Sequence, residues 1–365
     1  MRVLVVTVVH DPRDARIFHR EIGALLAAGH AVTYAAPFTD YGVPCPDSVR
    51  SIDLPRSRGR RRTGALRRAR AVIHEQAAFH DVVLVHDPEL LAAVAGVRGP
   101  VVVWDVHEDT AAAVTLKPWL PGPLRGATAA AVRLAEQRAE KRVRLLLAED
   151  GYRERFRRDH PVVPNSTPAP EQVLPPGDDR VVYVGSITAA RGLHEMVEVG
   201  RLLADLPLSV HLVGGVPDPA ANEALRVAVD GGWVRWHGYL PNDAALALVD
   251  GALAGLSLLH DEPNYRHSRP TKVIEYMAHA VPVVSTPTPP AVALVEGAEC
   301  GYVVPFEDAA AAADAVRRLY DDPAARQAMA SRGRAAALRD HDWRRDGAEF
   351  VRVLEEWVAE GRKPT

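Results

Sequence analysis

The chain has 365 residues, a formal net charge of −3, 25% charged residues and 47% hydrophobic residues. This length suits two or three domains with buried cores, and the composition excludes wholesale disorder and gives no general nucleic-acid signature. Cys45 and Cys300 stand far apart with no Cys/His ligand spacing around them, which predicts two free thiols and no zinc site.

The apolar run at residues 3–9 is too short for a signal peptide and leads straight into His10-Asp11-Pro12, so it reads as a buried strand. Residues 14–28 follow as a helix closed by Gly29, and 31–35 as the next strand. Residues 81–86, 101–106 and 145–147 are further buried runs. Their unbroken apolar character suits parallel strands covered on both faces. Ahead of the third run lie eight arginines: Arg56, Arg58, Arg60, Arg61, Arg62, Arg67, Arg68 and Arg70. The plain reading is an exposed loop entering a solvated helix. The sharper one is a contact surface for anionic lipid or a phosphorylated acceptor. Nucleic acid is disfavoured, because no aromatic residues are interleaved for stacking.

Residues 162–179 are rich in proline and polar side chains and read as a hinge. The pattern then restarts, with strands expected at 181–184, 208–213, 234–237, 254–259, 281–285 and 302–304. Helices are expected at 192–203, 217–229, 242–253 and 270–280. The alternation predicts two doubly wound α/β domains, 1–165 and 166–342. In the tail, 343–365, Trp343, Phe350, Val353, Leu354 and Trp357 share one helical face. We expect that helix to cross back to the first domain. No window of 18 apolar residues predicts a membrane span, so the expected location is cytoplasmic, peripheral at the inner membrane face if the arginines touch lipid.

Ligands of doubly wound folds bind at the carboxyl ends of the strands. The first such end, His10-Asp11-Pro12-Arg13-Asp14-Ala15-Arg16, has no glycine, so the dinucleotide fingerprint is missing and a dehydrogenase is disfavoured. The next two ends carry His86-Asp87-Pro88-Glu89 and Asp105-Val106-His107-Glu108-Asp109. One histidine beside carboxylates is commonly structural; three at corresponding strand ends place at least one in a site. In the second domain, Gly185-Ser186 leading to Arg191-Gly192 offers small residues, a cation and a helix start, which together suit a phosphate. Gly214-Gly215 allows similar backbone approach. In the block 267–285, Pro270 suits a first helical position, and Lys272 and Glu275 share a face near the helix start. That pair is either a surface ion pair or an anion-binding lysine beside a carboxylate suited to ribose hydroxyls.

With these pieces in order along the chain, the sequence resembles the glycosyltransferases of family 4. The resemblance rests on His10 to Phe18, His86-Asp87-Pro88-Glu89-Leu90, Trp104-Asp105-Val106-His107-Glu108 and Val163-Pro164-Asn165. It rests also on Tyr183-Val184-Gly185 with Arg191-Gly192, and on the block from Pro270 to Ser285. It implies the GT-B fold, α/β with two Rossmann-like doubly wound domains facing a central cleft. The implied activity is retaining transfer of a sugar from a nucleoside-diphosphate sugar to an acceptor hydroxyl. Small-molecule, glycan and lipid-linked acceptors are equally compatible. No metal and no cofactor beyond the donor are implied. By the resemblance Glu275 binds the donor ribose, Arg191 the diphosphate, and Gly238-Tyr239 the base, while His107 lines the donor sugar. Gly185, Ser186, Gly214, His267, Ser268, Pro270 and Thr271 complete the donor side; His10, Asp11, Arg16 and Asp87 lie on the acceptor side. Two positions depart from the family pattern: His267 stands where a glutamate is usual, and Ser186 where a cation is usual. Lys272 is expected to supply the charge Ser186 lacks. The competing reading is a sugar-nucleotide-binding protein of the same fold without transfer activity.

Overall fold

The computed structural model describes residues 1–107, 111, 122–266 and 269–361. The chain divides into two compact units, residues 1–165 with 343–365, and residues 166–342.

The first unit is built on a six-stranded parallel sheet. Its strands are β1 (Arg2–Val6), β2 (Ala31–Ala36), β3 (Arg50–Asp53), β4 (Val82–Val85), β5 (Val101–Val106) and β6 (Arg144–Leu147), in spatial order β3-β2-β1-β4-β5-β6. Val3 pairs with Val32 on one side and Val82 on the other. Successive residues of β1 enter opposite layers. Val3 and Val5 pack with Ile17, Leu25 and Leu354; Leu4 and Val6 pack with Ala69, Val72 and Ile73. Two covered faces explain why the strands read as unbroken apolar runs. β3 escapes sequence reading because its residues, Arg-Ser-Ile-Asp, sit half-buried at the sheet edge.

The helix Trp343–Gly361 belongs to this unit. Phe350, Leu354 and Trp357 are buried in the layer with Val3 and Val5, and Trp343 Nε1 donates to the Arg20 carbonyl at 3.1 Å. Each large apolar side chain so buried contributes about 1.5–3 kcal/mol.

The second unit repeats the winding. Its strands are β7 (Arg180–Val184), β8 (Ser209–Val213), β9 (Val234–Trp236), β10 (Ala254–Ser257), β11 (Val283–Ser285) and β12 (Gly301–Val303), in order β12-β11-β10-β7-β8-β9. In each unit the first strand lies inside the sheet. The chain winds outward on one side of it and then returns to fill the other. This creates a crevice at the carboxyl ends of β1/β4 and of β7/β10, where open α/β sheets bind ligands. Among the described residues no helix is long and apolar enough to cross a membrane.

Candidate functional site

In the first unit, the carboxyl ends of β1, β4 and β5 lie side by side and bring His10, His86 and His107 together. Beneath them Arg16 and Glu21 project from the helix Ala15–Ile22. That helix has the wide i to i+5 winding, so residues five apart share its inward face. Asp14 caps it, accepting from the backbone N–H groups of Arg16 and Ile17 at 2.9 and 3.0 Å.

Asp105 is the hub. Arg16 Nε donates to Oδ2 at 2.8 Å and its terminal nitrogen to Oδ1 at 2.7 Å, a bidentate clamp. His107 Nδ1 donates to the same Oδ2 at 2.9 Å. Burial alone would raise the Asp105 carboxyl, but the Arg16 guanidinium holds it well below the usual range. Burial likewise opposes a charge on His107, yet the hydrogen bond and charge of Asp105 lift it above the ordinary histidine value. With Nδ1 fixed, Nε2 of His107 faces Nε2 of His10 at 3.2 Å. Asp87 Oδ1 lies 3.3 Å from the same His10 nitrogen. Asp87 itself accepts from Thr7 Oγ1 and from the Val8 N–H at 2.5 Å.

Deeper in, His86 is fully enclosed. Its ring nitrogens lie 3.3 Å from Asp105 Oδ2 and 3.5 Å from Glu21 Oε2 without hydrogen-bond geometry. Burial pushes its pKa down to about 4, and burial together with the Asp105 charge pushes Glu21 well above the carboxylate range. A void of about 10 Å³ opens between His10, His86, Trp104, Asp105 and His107, roughly the space of one water.

His86, Asp105 and His107 also bring three ligand-type atoms within 4.8 Å of one another, a grouping the sequence spacing does not reveal. Both Asp105 oxygens are already engaged by Arg16, whose guanidinium supplies the positive charge at that point.

In the second unit, the turn after β7 packs against the turn after β8. A Cβ at Gly214, where φ is +146°, would stand 1.8 Å from the Gly185 carbonyl, so only glycine permits this approach. Gly185, at φ +139°, leaves space that a Cβ would fill 3.6 Å from Lys272 Cε. Trp236 Nε1 donates to the Gly214 carbonyl at 2.9 Å and fixes the second turn.

Lys272 lies in the first turn of the helix Thr271–Ala278, which Pro270 opens. Its ammonium sits 5.0 Å over the Tyr183 ring and makes no hydrogen bond or ion pair with a described residue. Arg191 lies near the side chains of Tyr183 and Tyr265, which favour its charged form against burial. The Tyr183 hydroxyl donates in turn to the Ser186 carbonyl at 2.7 Å. Burial, then repulsion from Arg191, pull Lys272 down to about 7, with Glu275 opposing. Two cations therefore share one tyrosine beside a glycine turn and a helix start, with no carboxylate paired to either.

The residues expected from sequence fall into clear places. His10, Arg16, Asp87 and His107 meet in the first unit. Arg16 and Asp87 are buried and reach the histidines from within, Arg16 by way of Asp105 and Asp87 at His10. Asp11 stands apart, accepting from Arg13 at 3.2 Å. Gly185, Gly214, Arg191, Lys272, Pro270 and Thr271 surround the second site, with Ser186 exposed at its rim. Glu275 follows one helical turn on from Thr271, and Tyr239 is 61% exposed after β9. His267 and Ser268 lie outside the described residues, as do Glu108, Asp109, Lys117 and Lys363. Sequence reasoning missed Glu21 and gave Tyr183 no role. The signal for Tyr183 was its place two residues before Gly185 on β7.

A groove of about 760 Å³ lies at the opposite, amino-terminal ends of β5 and β6 and is lined by Trp357, Arg142 and Glu140 among others. It faces away from the strand ends that carry the histidines. Its one buried carboxylate, Glu140, is occupied by the backbone N–H groups of Arg157 and Arg158 and by His160.

Comparison with known proteins places this geometry. Residues 178–322, the greater part of the second unit, match the family described as Glycosyl transferases group 1. No curated protein matches the chain by sequence. Among solved structures it is similar to sucrose-phosphate synthase from Thermosynechococcus elongatus, at 18% identity and a TM-score of 0.74, covering 98% of this chain and 99% of that one. It is similar to Anabaena HepE in complex with UDP-glucose, at 13% identity and a TM-score of 0.67, covering 98% and 100%. WaaG, a glycosyltransferase involved in lipopolysaccharide biosynthesis, gives 16% identity and a TM-score of 0.67, covering 97% and 99%. At these identities the likeness shows the fold. The family match covers the greater part of the second unit, and the whole chain has the fold of these GT-B structures.

Proposed function

We propose that the chain is a retaining glycosyltransferase of the family 4 type, moving a hexosyl group from a nucleoside-diphosphate sugar to an acceptor hydroxyl. The observation that carries this reading is the pair Lys272 and Arg191, gathered on Tyr183 beside the close-packed turns of Gly185 and Gly214 with no carboxylate paired to either cation. Such a place calls for an anion, and the helix start at Pro270, within one turn of Lys272, adds backbone N–H groups. That HepE is seen with UDP-glucose on the same fold supports a nucleotide-sugar donor.

In this reading the bond between the sugar C1 and the diphosphate oxygen breaks, and the acceptor oxygen bonds to C1 on the same face. The acceptor proton passes to the departing phosphate oxygen. Negative charge grows on the diphosphate as it leaves, and Lys272, Arg191 and the helix start meet it. Preorganised donors of this kind contribute roughly 3–4 kcal/mol each to lowering the barrier. Because these cations neutralise the diphosphate, the reading calls for no metal. Glu275 takes the ribose hydroxyls and Tyr239 the base. His107, oriented by Asp105 and raised in pKa by it, offers Nε2 to the reacting sugar, with His10 beside it.

A thermal-shift panel of nucleoside diphosphates and their sugars tests the donor. A ligand at about 100 times its Kd adds about 2.7 kcal/mol of stability. A stabilising sugar nucleotide that is neither hydrolysed nor transferred would replace this reading with a binding protein. A chain that no nucleoside diphosphate stabilises would end both.

A further inference from the structure

The eight arginines from Arg56 to Arg70 play no part in the reaction above. Between Leu54 and His74 there is no acidic residue, so this short stretch carries eight positive charges in a chain whose net charge is −3. The stretch spans a short turn, Gly59–Arg61, and the helix Arg62–Ala77. The helix buries Ala65, Ala69, Val72 and Ile73 against the sheet and turns its arginines to solvent.

Three of the eight are used by the fold. Arg56 lies 4.0 Å over the Tyr41 ring, Arg61 pairs with Asp40 at 3.3 Å, and Arg70 donates to the carbonyls of Ala92, Ala93 and Ala95. Arg58, Arg60, Arg62, Arg67 and Arg68 are exposed and make no side-chain hydrogen bond or ion pair with any described residue. Several arginines elsewhere on the surface are paired. Arg201 pairs with Glu198 at 2.6 Å, Arg317 with Asp205 at 2.6 Å, Arg339 with Asp340 at 2.7 Å and Arg352 with Glu349 at 2.5 Å. Unpartnered arginines occur elsewhere on the described surface too, Arg98, Arg226 and Arg235 among them, but here five fall within eleven residues, 58–68, in a stretch with no acidic residue.

We propose that this face docks the protein on an anionic lipid bilayer. Its chemistry is that of a charged surface meeting a charged surface. There are five free guanidinium groups, each able to fork onto lipid phosphate, and no exposed large apolar side chain among them to enter a protein groove. Single-stranded RNA would need stacking platforms, and the one aromatic ring at the edge, Tyr41, is covered by Arg56. The patch also adjoins the histidine pocket. The Ser57 N–H donates to the Val8 carbonyl at 2.7 Å, and the Tyr41 hydroxyl to the Val9 carbonyl at 2.7 Å, so the loop that carries His10 is tied to the arginine rim. Docking through this rim brings the pocket to a hydroxyl acceptor carried in the membrane. That last step rests on the glycosyltransferase reading; the docking does not.

The test is co-sedimentation of the full chain with vesicles of phosphatidylcholine alone and of phosphatidylcholine mixed with phosphatidylglycerol. The mixed vesicles are expected to bind the protein, with affinity falling steeply as salt rises, and the neutral ones not to. Replacing Arg60, Arg62, Arg67 and Arg68 together by glutamine should weaken binding by about 100-fold or more, each charge near the surface being worth about fivefold. The melting temperature should hold, since these side chains have no partners to lose. Replacing Arg201, Arg317, Arg339 and Arg352 removes the same charge from paired positions and should leave vesicle binding near wild type. Equal binding to neutral vesicles, undiminished binding by the first variant, or equal loss in both variants would overturn the proposal. So would single-stranded RNA that displaces the protein from the vesicles. None of these outcomes depends on transfer activity, so a failed donor assay leaves the proposal intact.

Discussion

The two units share one winding and place one charged cluster each at the same point of the sheet, yet the clusters are built on opposite plans. In the cluster of the first unit the charges are answered from within. Arg16 is clamped to Asp105, Asp105 orients His107, Asp87 backs His10, and His86 and Glu21 are pressed towards their neutral forms. In the second unit Lys272 and Arg191 lean on tyrosines, and burial, then repulsion from Arg191, pull Lys272 down to about 7 against the opposing charge of Glu275. A charge answered internally positions its neighbours; a charge left unanswered in a glycine-lined crevice is a place for a ligand.

The sharpest way to break this contrast is to remove one partner from each cluster. In the first unit, Asp105→Asn removes the clamp on the buried Arg16 guanidinium and leaves it only Glu21 at 3.1 Å and the Val163 carbonyl. Breaking a buried pair this way costs about 3–5 kcal/mol, so the melting temperature should fall by roughly 8–15 °C. A fall of only a degree or two would show that the network is not structural. In the second unit, Lys272→Ala should behave in the reverse manner. Its melting temperature should hold or rise, because a disfavoured charge is gone, while kcat falls about 10²–10³-fold. Turnover near wild type in that variant would remove Lys272 from the chemistry.

A smaller effect separates the two clusters by pH. His86 is neutral in the folded chain, with its pKa lowered to about 4, against an ordinary value of about 6.5. As pH falls between those values the unfolded chain takes up the proton first. The stability present above pH 6.5 is therefore lost progressively towards pH 4, by about 3 kcal/mol. Denaturant titrations across that range should show the loss, and His86→Asn should remove it. The smallest expected effect concerns division of labour. Glu275→Gln should raise the donor KM about tenfold with little change in kcat, and more than His107→Ala does; His107→Ala should lower kcat instead. A larger KM change in His107→Ala would reverse the assignment of the two units.

How much of this was legible in the sequence follows from what each element depends on. The two doubly wound sheets were readable because runs such as 181–184 and 101–106 are apolar on both faces, and that pattern survives any change of tertiary detail. β3 was not readable, because an edge strand of mixed polarity carries no period. His10, His86 and His107 could be singled out by their places at strand ends, and the sheet order then set those ends side by side. Glu21 could not be found, since it reaches the cluster only through the wide winding of the helix Ala15–Ile22, which a 3.6-residue pattern does not anticipate. Lys272 was picked out by its pairing with Glu275. What the fold adds is that it sits over Tyr183 beside Gly185, a contact made across nearly ninety residues of chain.

The central claim is that the second unit holds a place for a phosphate anion, with Lys272 waiting half-charged for it. Calorimetric titration of a nucleoside diphosphate at pH 8, in two buffers of different ionisation enthalpy, tests it directly. An anion bound beside Lys272 restores its charge. Binding should therefore take up about one proton per ligand in the wild type, and Lys272→Ala should lose both the uptake and most of the affinity. Binding without proton uptake, or with the same uptake in Lys272→Ala, would contradict the account.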